Sequence, residues 1–380
     1  YYPEWRIAEG YANRWRKESV HGVAVYRSPL YVPKKPTTLK RLLHLVSFAA
    51  SSSLSLVRLL RSSPDVLIVL QPTLFTAPLA QLWARLTGAQ VVLHIQDFEL
   101  DAMLGISDAS PLDPDQRRKR GILASIETFV MRRFDRVSTI SYNMLRIAAE
   151  KGVDPQKLIL FPNWADTSHV RRIDDTRAIR GDFGLSVDDK VILYSGNIGK
   201  KQGLEIVLDA AHSFRDRPDV KFLIIGAGAH AATLQAMARE QQLANVLFAP
   251  LQPWEKLPGI LSMADVHLVV QKRGVADAVL PSKLTNILAV GGHALVTAER
   301  DTELGIVANA HPGIYTLVEP EQPDAFIAAL QALLQQDTRA PNTIAINFAQ
   351  QTLEKNMVIN RFMNDLENLV AGEPGSEPVA

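Results

Sequence analysis

The chain of 380 residues contains no cysteine, which excludes a disulfide framework and a thiolate metal site. It offers no unbroken apolar run of the about 20 residues that a membrane-spanning helix needs, because five serines interrupt the candidate stretch at residues 38–61. Zinc-finger, RNA-recognition and basic-zipper signatures are missing, which argues against a nucleic acid partner. The H-E-x-x-H and G-x-S-x-G motifs of metalloproteases and α/β-hydrolases are missing too.

The net charge is only +1, but it is unevenly distributed. Residues 1–165 carry a net charge of +8 and residues 166–380 a net charge of −7. A basic first half favours an anionic surface, and a membrane is preferred over nucleic acid. Residues 38–61 have basic ends and a leucine-rich middle, and two interpretations stay open. The segment is an interfacial amphipathic helix, or it packs on the sheet of the first domain with its basic ends in water.

Strand and helix patterns alternate along the chain, whose 47% apolar content and length indicate two globular domains. Such alternation predicts an α/β fold with parallel sheets that carry helices on both faces. A helix is predicted over Ala77–Leu86. The strands predicted for the first domain are Val23–Tyr26, Val66–Leu70, Val91–Ile95, Val137–Ile140 and Leu158–Phe161.

The segment at residues 190–211 predicts an anion site. An apolar strand, Lys190–Tyr194, is followed by Gly196, Gly199 and Gly203 with two lysines among them, and then by helical spacing of apolar residues. A strand that turns through glycines into a helix directs backbone N–H groups and the positive end of the helix dipole at one point. This arrangement predicts a diphosphate cradle, although an ordinary glycine-rich turn with solvated lysines has the same pattern.

Two later segments support the cradle. Residues 220–228 form a buried-strand pattern that ends in Gly226 and Gly228. At residues 280–292, Pro281 and Ser282 predict a helix N-cap that places Lys283 in the first turn. A lysine there opposes the helix dipole, which is easier to understand if an anion binds.

Together, the segments YSGNIGKKQGLE, FLIIGAG, ADVHLVV and LPSKLTNILAVGG resemble the donor half of retaining GT-B glycosyltransferases of family 4. The similarity is greatest to the colanic acid biosynthesis fucosyltransferase branch, and HIQDFELDAMLG and LILFPNWAD fit the same branch. The resemblance runs from Tyr1 to about Leu369. It implies two Rossmann-like parallel-sheet domains with an interdomain cleft, divided as residues 1–165 (acceptor side), 166–342 (donor side), 343–370 (a helix that crosses back) and 371–380 (a disordered tail).

The resemblance also implies site residues. His94, at the end of a predicted strand, matches a family histidine near the sugar and the acceptor, and Asp97 is a second catalytic candidate. Many members carry an arginine at the position of Asn197 and a glutamate pair at the positions of Ala278 and Asn286, so this chain departs from them. The expected donor-binding residues are Gly196, Asn197, Gly199, Lys200, Lys201, Gly226, Gly228, Leu251, Ser282, Lys283, Leu284 and Asn286.

The expected activity is transfer of a sugar, with GDP-fucose as the donor candidate, onto a lipid-linked oligosaccharide with retention of configuration. A hydrolysing nucleotide-sugar epimerase and an inactive membrane-assembly protein are the alternatives. No metal and no cofactor are expected, because Asp113-Pro114-Asp115 lies in a charged, Pro-rich loop rather than at a strand end. The expected location is the cytoplasm, peripheral on the inner face of the membrane. Family members carry an opening strand before the equivalent of Tyr1, so the chain is also expected to be incomplete and to lack transfer activity as it stands.

Overall fold

The computed structural model describes residues 5–34, 37–62, 64–71, 74–96, 98, 114–274 and 281–373. These residues form two compact units. The first takes in residues up to 140, residues 144–160 and those from Phe362 onward, and the second takes in residues 141–143 and 161–361. Each unit contains a parallel β-sheet and α-helices, as the sequence predicts.

The first unit begins with a two-stranded antiparallel hairpin, β1 (Arg16–Val20) and β2 (Val23–Arg27). The two strands are joined by His21 and Gly22, whose φ angles are 49° and 83°, as the mirror-image hairpin turns require. The strand predicted at Val23–Tyr26 exists, but it pairs in this hairpin rather than in the parallel sheet. Sequence reasoning missed β1, because its residues are largely charged and exposed.

The parallel sheet of the first unit has four strands in the order β3-β4-β5-β6. All four were predicted to within one or two residues at each end. In this parallel register His94 lies beside Ser138 on the neighbouring strand. The bounds are β3 (Val66–Gln71), β4 (Gln90–Ile95), β5 (Arg136–Thr139) and β6 (Leu158–Leu160).

The helices α1 (Thr38–Arg58), α2 (Ala77–Thr87), α3 (Pro114–Met131) and α4 (Tyr142–Glu150) connect these strands. One face of α1 packs on the protein: Ser47 Oγ accepts the N–H of Tyr31 (2.8 Å), and the Trp83 indole donates to the carbonyl of Leu56 (2.9 Å). Other apolar side chains of α1 are exposed, and they are Leu39, Leu43, Val46, Leu54 and Val57. Among the described helices, none combines the length and the hydrophobicity that a membrane span requires.

The sheet of the second unit is parallel and has the strand order β12-β11-β10-β7-β8-β9. Its first strand in the chain, β7, therefore lies in the middle, between the second and the fourth. This is the order of the doubly wound dinucleotide-binding folds. The bounds are β7 (Lys190–Asn197), β8 (Val220–Ala227), β9 (Val246–Ala249), β10 (Val266–Val269), β11 (Ala294–Thr297) and β12 (Thr316–Val318).

Nine helices among the described residues follow, and the last of them ends in the first unit. They are α5 (Arg177–Asp182), α6 (Glu205–Ser213), α7 (Ala231–Glu240), α8 (Leu257–Ser262), α9 (Ser282–Ala289), α10 (Glu303–Ala310), α11 (Pro323–Leu334), α12 (Thr343–Phe348) and α13 (Lys355–Ala371).

The core of the second unit consists of two apolar clusters, one on each face of the sheet. Because side chains alternate along a strand, β7 contributes Val191 and Leu193 to one cluster and Ile192 and Tyr194 to the other. A strand buried on both faces reads as a continuous apolar run, which is why β7 was predictable from sequence. The strand β7 pairs with β8 along its whole length, and Ile192 and Leu193 also pair with β10.

Candidate active site

The strand order of the second unit reverses at β7, which pairs with β8 on one side and β10 on the other. In open parallel sheets, ligands bind beyond the carboxyl ends of the strands at such a reversal point. Gly196 lies at this end of β7, with a φ of 150° that a residue with a side chain rarely adopts. The strand order therefore indicates that a ligand binds at the loop after β7. The glycine and lysine pattern of the sequence predicts an anion site at the same loop.

The glycines after β7 and β8 allow two backbones to approach each other closely. A Cβ on Gly226 would lie 2.0 Å from the carbonyl oxygen of Gly196, and one on Gly228 would lie 2.2 Å from that of Ile198. The same loops are joined by the N–H of His230, which donates to Ile198 (3.0 Å). Packing alone thus requires glycine at 226 and 228, whether or not a ligand also lies against them.

Lys283 is the cation that the fold brings to the end of β7. It is the second residue of α9, and its Nζ lies 4.1 Å from the centre of the Tyr194 ring. A Cβ placed on Gly196 would be 3.9 Å from the same Nζ. The Tyr194 hydroxyl donates to the carbonyl of Asn197 (2.6 Å), which fixes the ring beneath the ammonium group. Tyr194 was not among the predicted site residues.

The electrostatics of Lys283 are unusual for a lysine. Desolvation lowers the pKa of its ammonium group to about 7, and no carboxylate in the described part of the chain forms an ion pair with it. The contact with the Tyr194 ring offsets only part of this cost. Lys283 is half-buried, and a cation at a helix N-terminus with no carboxylate partner among the described residues is an arrangement that a bound anion would stabilise.

The loop after β7 contains one element that was not predicted. Lys200–Gln202 form a 3-10 turn among the glycines, and α6 begins at Glu205, just after Gly203, as predicted. The N–H of Gly199 donates to Oε1 of Gln202 (3.0 Å) and is used inside the turn. Lys200 and Lys201 have exposed side chains that make no ion pair among the described residues, so they are available to a ligand.

The remaining donor-side candidates divide by burial. Asn197 and Ser282 are exposed, Leu251 is 63% exposed and Asn286 is half-buried, so all four can meet a ligand. Leu284 cannot offer its side chain, because it is fully buried in the core and its N–H donates to Pro281 (2.8 Å). The N-cap position of α9 is occupied by Pro281, not by the serine, and Ser282 is the first helical residue.

In the first unit, His94 is held by two polar neighbours. Its Nδ1 is 2.8 Å from Oγ of Ser138, and its Nε2 is 2.6 Å from Nε2 of Gln96. Burial lowers the pKa of His94 to about 4, so the ring is neutral at pH 7. Only 3% of the residue is exposed. Asp97, the other catalytic candidate, lies outside the described residues. Sequence reasoning did not single out Ser138 or Gln96.

Comparison with known proteins agrees with this architecture. Residues 175–350 match the model of the "Glycosyl transferases group 1" family, and residues 6–164 match that of the "Glycosyl transferase 4-like domain". The chain is 49% identical over 374 residues to the colanic acid biosynthesis glycosyl transferase WcaI of Escherichia coli K12, which covers 96% of this chain and 89% of that protein.

Two solved structures show the same fold at low identity. The superposition on Anabaena HepE in complex with UDP and glucose has a TM-score of 0.64 at 14% identity, and it covers 82% of this chain and 81% of the HepE chain. Sucrose-phosphate synthase from Thermosynechococcus elongatus has a TM-score of 0.69 and 16% identity, covering 96% of this chain and 87% of its own. Both units are therefore the Rossmann-like domains of a GT-B fold, and the chain belongs to the group 1 glycosyltransferases.

Proposed function

We propose that this glycosyltransferase moves a sugar, with retention, from a nucleotide diphosphate donor onto a lipid-linked exopolysaccharide intermediate. The observation that carries the donor class is Lys283, a half-buried cation beside Gly196 at the reversal point of the sheet, with no carboxylate partner among the described residues. The exopolysaccharide acceptor is supported by the Escherichia coli relative, whose name places it in colanic acid biosynthesis. GDP-fucose is the specific donor candidate.

In the proposed reaction, the protein stabilises the leaving group and supplies no covalent nucleophile. The acceptor hydroxyl oxygen forms a bond to the anomeric carbon on the face from which the diphosphate departs. The carbon–oxygen bond to the diphosphate breaks, and the hydroxyl proton passes to a phosphate oxygen. Lys283, with Lys200 and Lys201, offsets the charge that develops on the diphosphate, which is the usual source of catalysis in such sites.

Binding of nucleoside diphosphates tests the donor class directly. Thermal-shift and calorimetric titrations of the full-length protein with UDP, GDP, ADP and CDP are expected to show one preferred base with a saturable shift. An inactive assembly protein would bind none of them. A hydrolysing epimerase would bind one, but it would release nucleoside diphosphate and a changed sugar without any acceptor, and the uncharged Asn286 is a poor base for that chemistry.

Metal-independent transfer is expected, because lysine side chains take the role that a divalent cation has in other glycosyltransferases. Turnover should be unchanged in EDTA, and Asp113→Ala and Asp115→Ala should transfer at the rate of the parent. Asp113 and the side chain of Asp115 lie outside the described part of the structure, so activity is the readout. Loss of turnover in EDTA, restored by Mn²⁺ or Mg²⁺, would contradict the proposal.

We also propose that the protein works on the inner face of the cytoplasmic membrane. Exposed Leu39, Leu43 and Val57 on α1 lie close in sequence to exposed Lys40 and Arg58, a composition that suits an anionic lipid surface. Flotation with vesicles containing phosphatidylglycerol should recover the full-length protein, and Leu39→Glu with Leu43→Glu should abolish recovery. Equal recovery of the parent and the double variant would show that α1 does not bind the membrane.

A further inference from the structure

Polar side chains form a chain across the carboxyl ends of β4 and β5. The amide nitrogen of Gln96 can only donate a hydrogen bond, so Nε2 of His94, at 2.6 Å, must accept it. The ring proton therefore resides on Nδ1, which donates to Oγ of Ser138 at 2.8 Å. This assignment needs a neutral imidazole, and burial of His94 keeps it neutral.

His94 is poorly placed to touch a substrate. Both ring nitrogens are engaged, and 3% of the residue is exposed. Gln96 is different, because it directly follows the last residue of β4 and is half-buried. Among the described residues, no donor reaches its Oε1. Ligands of open parallel sheets bind just beyond the strand ends, which is the position of Gln96.

We infer that Gln96 contacts a hydroxyl group of the acceptor, and that His94 and Ser138 are positioning residues that hold the Gln96 amide. This inference rests on the proposed function. An amide presents both an acceptor oxygen and a second N–H, so it can bind a sugar hydroxyl in either sense without a charge. The hydrogen bonds from Gln96 to His94 and from His94 to Ser138 fix the orientation of the amide before the substrate binds. This lowers the entropic cost of ordering the amide on binding.

The test uses full-length protein, radiolabelled UDP-glucose, UDP-galactose, GDP-mannose and GDP-fucose, and membranes of Escherichia coli K12 cells that lack the 49%-identical relative. Gln96→Ala is expected to lower kcat/KM for the membrane acceptor about tenfold, the effect of a lost hydrogen bond with a partner left unpaired. Gln90→Ala, at the opposite end of the same strand, is the matched control and should transfer normally. Nucleoside diphosphate affinity should be equal in all variants.

Positioning is tested separately from folding. Ser138→Ala should lower transfer severalfold in a protein that still folds and keeps its nucleoside diphosphate affinity, although the unpaired Nδ1–H of His94 lowers its melting temperature. Ser138→Thr keeps the hydroxyl and should restore transfer. If the parent transfers sugar and Gln96→Ala transfers equally well, the inference is wrong and the proposed function stands. If the parent transfers no sugar from any of the four donors, the proposed function fails and this inference fails with it.

Discussion

Lys283→Ala is expected to weaken nucleoside diphosphate binding about tenfold or more, because it removes a charge-assisted contact of about 1.5–3 kcal/mol. The lysine Nζ lies near Gly196 and over the Tyr194 ring. Because the ammonium group is partly desolvated there, a bound anion stabilises it. Removing the side chain also removes the unfavourable desolvated charge, so the variant should be at least as stable as the parent. Isothermal titration with the preferred nucleoside diphosphate measures the loss.

Lys221→Ala is the matched control for this experiment. Lys221 is a half-buried lysine of the same unit, near the amino end of β8 and away from the ligand-binding loops. Its removal should leave the affinity unchanged, whereas Lys201→Ala should weaken binding because its exposed side chain lies in the turn after β7. Equal affinities in all three variants and the parent would show that the diphosphate binds elsewhere.

Diphosphate affinity is also expected to fall steeply as the pH rises above 7. The pKa of Lys283 is lowered to about 7 in the free protein, so the side chain loses its proton as the pH passes through that value. Because the anion binds the protonated form, affinity should fall about tenfold for each pH unit well above 7. Binding at pH 8 should therefore take up a proton.

The Lys283→Arg variant distinguishes the titration of Lys283 from the titration of other groups. Arginine stays charged throughout the range, so the affinity of this variant should be nearly constant from pH 7 to pH 9. Calorimetry in buffers of different ionisation enthalpy counts the protons taken up by each protein. A parent whose affinity is as constant as that of Lys283→Arg would contradict the assignment of Lys283 as the titrating ligand.

All four strands of the first sheet, together with β7 and β8 of the second, were predicted, because buried parallel strands are continuous apolar runs between turn signals. The strands β11 and β12 were not singled out. β1 was not predicted either, since its charged residues show no apolar alternation and its pairing depends on the turn at His21 and Gly22. The start of α6 after Gly203 was predicted, but the short turn before it was not. The 3-10 turn at Lys200–Gln202 depends on the Gln202 side chain, which accepts the Gly199 N–H, and periodicity does not report such a bond.

The sequence predicted which residue types form the site, but only some of the contacts that these residues make with one another. Glycines and lysines near helix N-termini indicated an anion, but the stacking of Lys283 on Tyr194 joins positions far apart in the chain. Likewise, the sequence predicted polar groups at the end of β4. In the structure His94 is the buried one, hydrogen-bonded to Ser138 on the neighbouring strand, and Gln96 is half-buried.

The membership in group 1 glycosyltransferases predicted from four short segments is confirmed by the family models and by the 49%-identical relative. Two of those segments, YSGNIGKKQGLE and FLIIGAG, join the end of a strand to glycines. The fucosyl donor, the retention of configuration and the lipid-linked acceptor stay predictions.

Sugar transfer by the full-length protein tests the central claim most directly. Labelled nucleotide sugars are incubated with the protein and with membranes from cells that accumulate lipid-linked exopolysaccharide intermediates, and the lipid fraction and the released nucleotide are both quantified. The account predicts that one donor labels the lipid fraction, with one nucleoside diphosphate released for each sugar transferred and the anomeric configuration kept. Release of nucleoside diphosphate together with a free or epimerised sugar, at a rate that does not depend on the membranes, would contradict it.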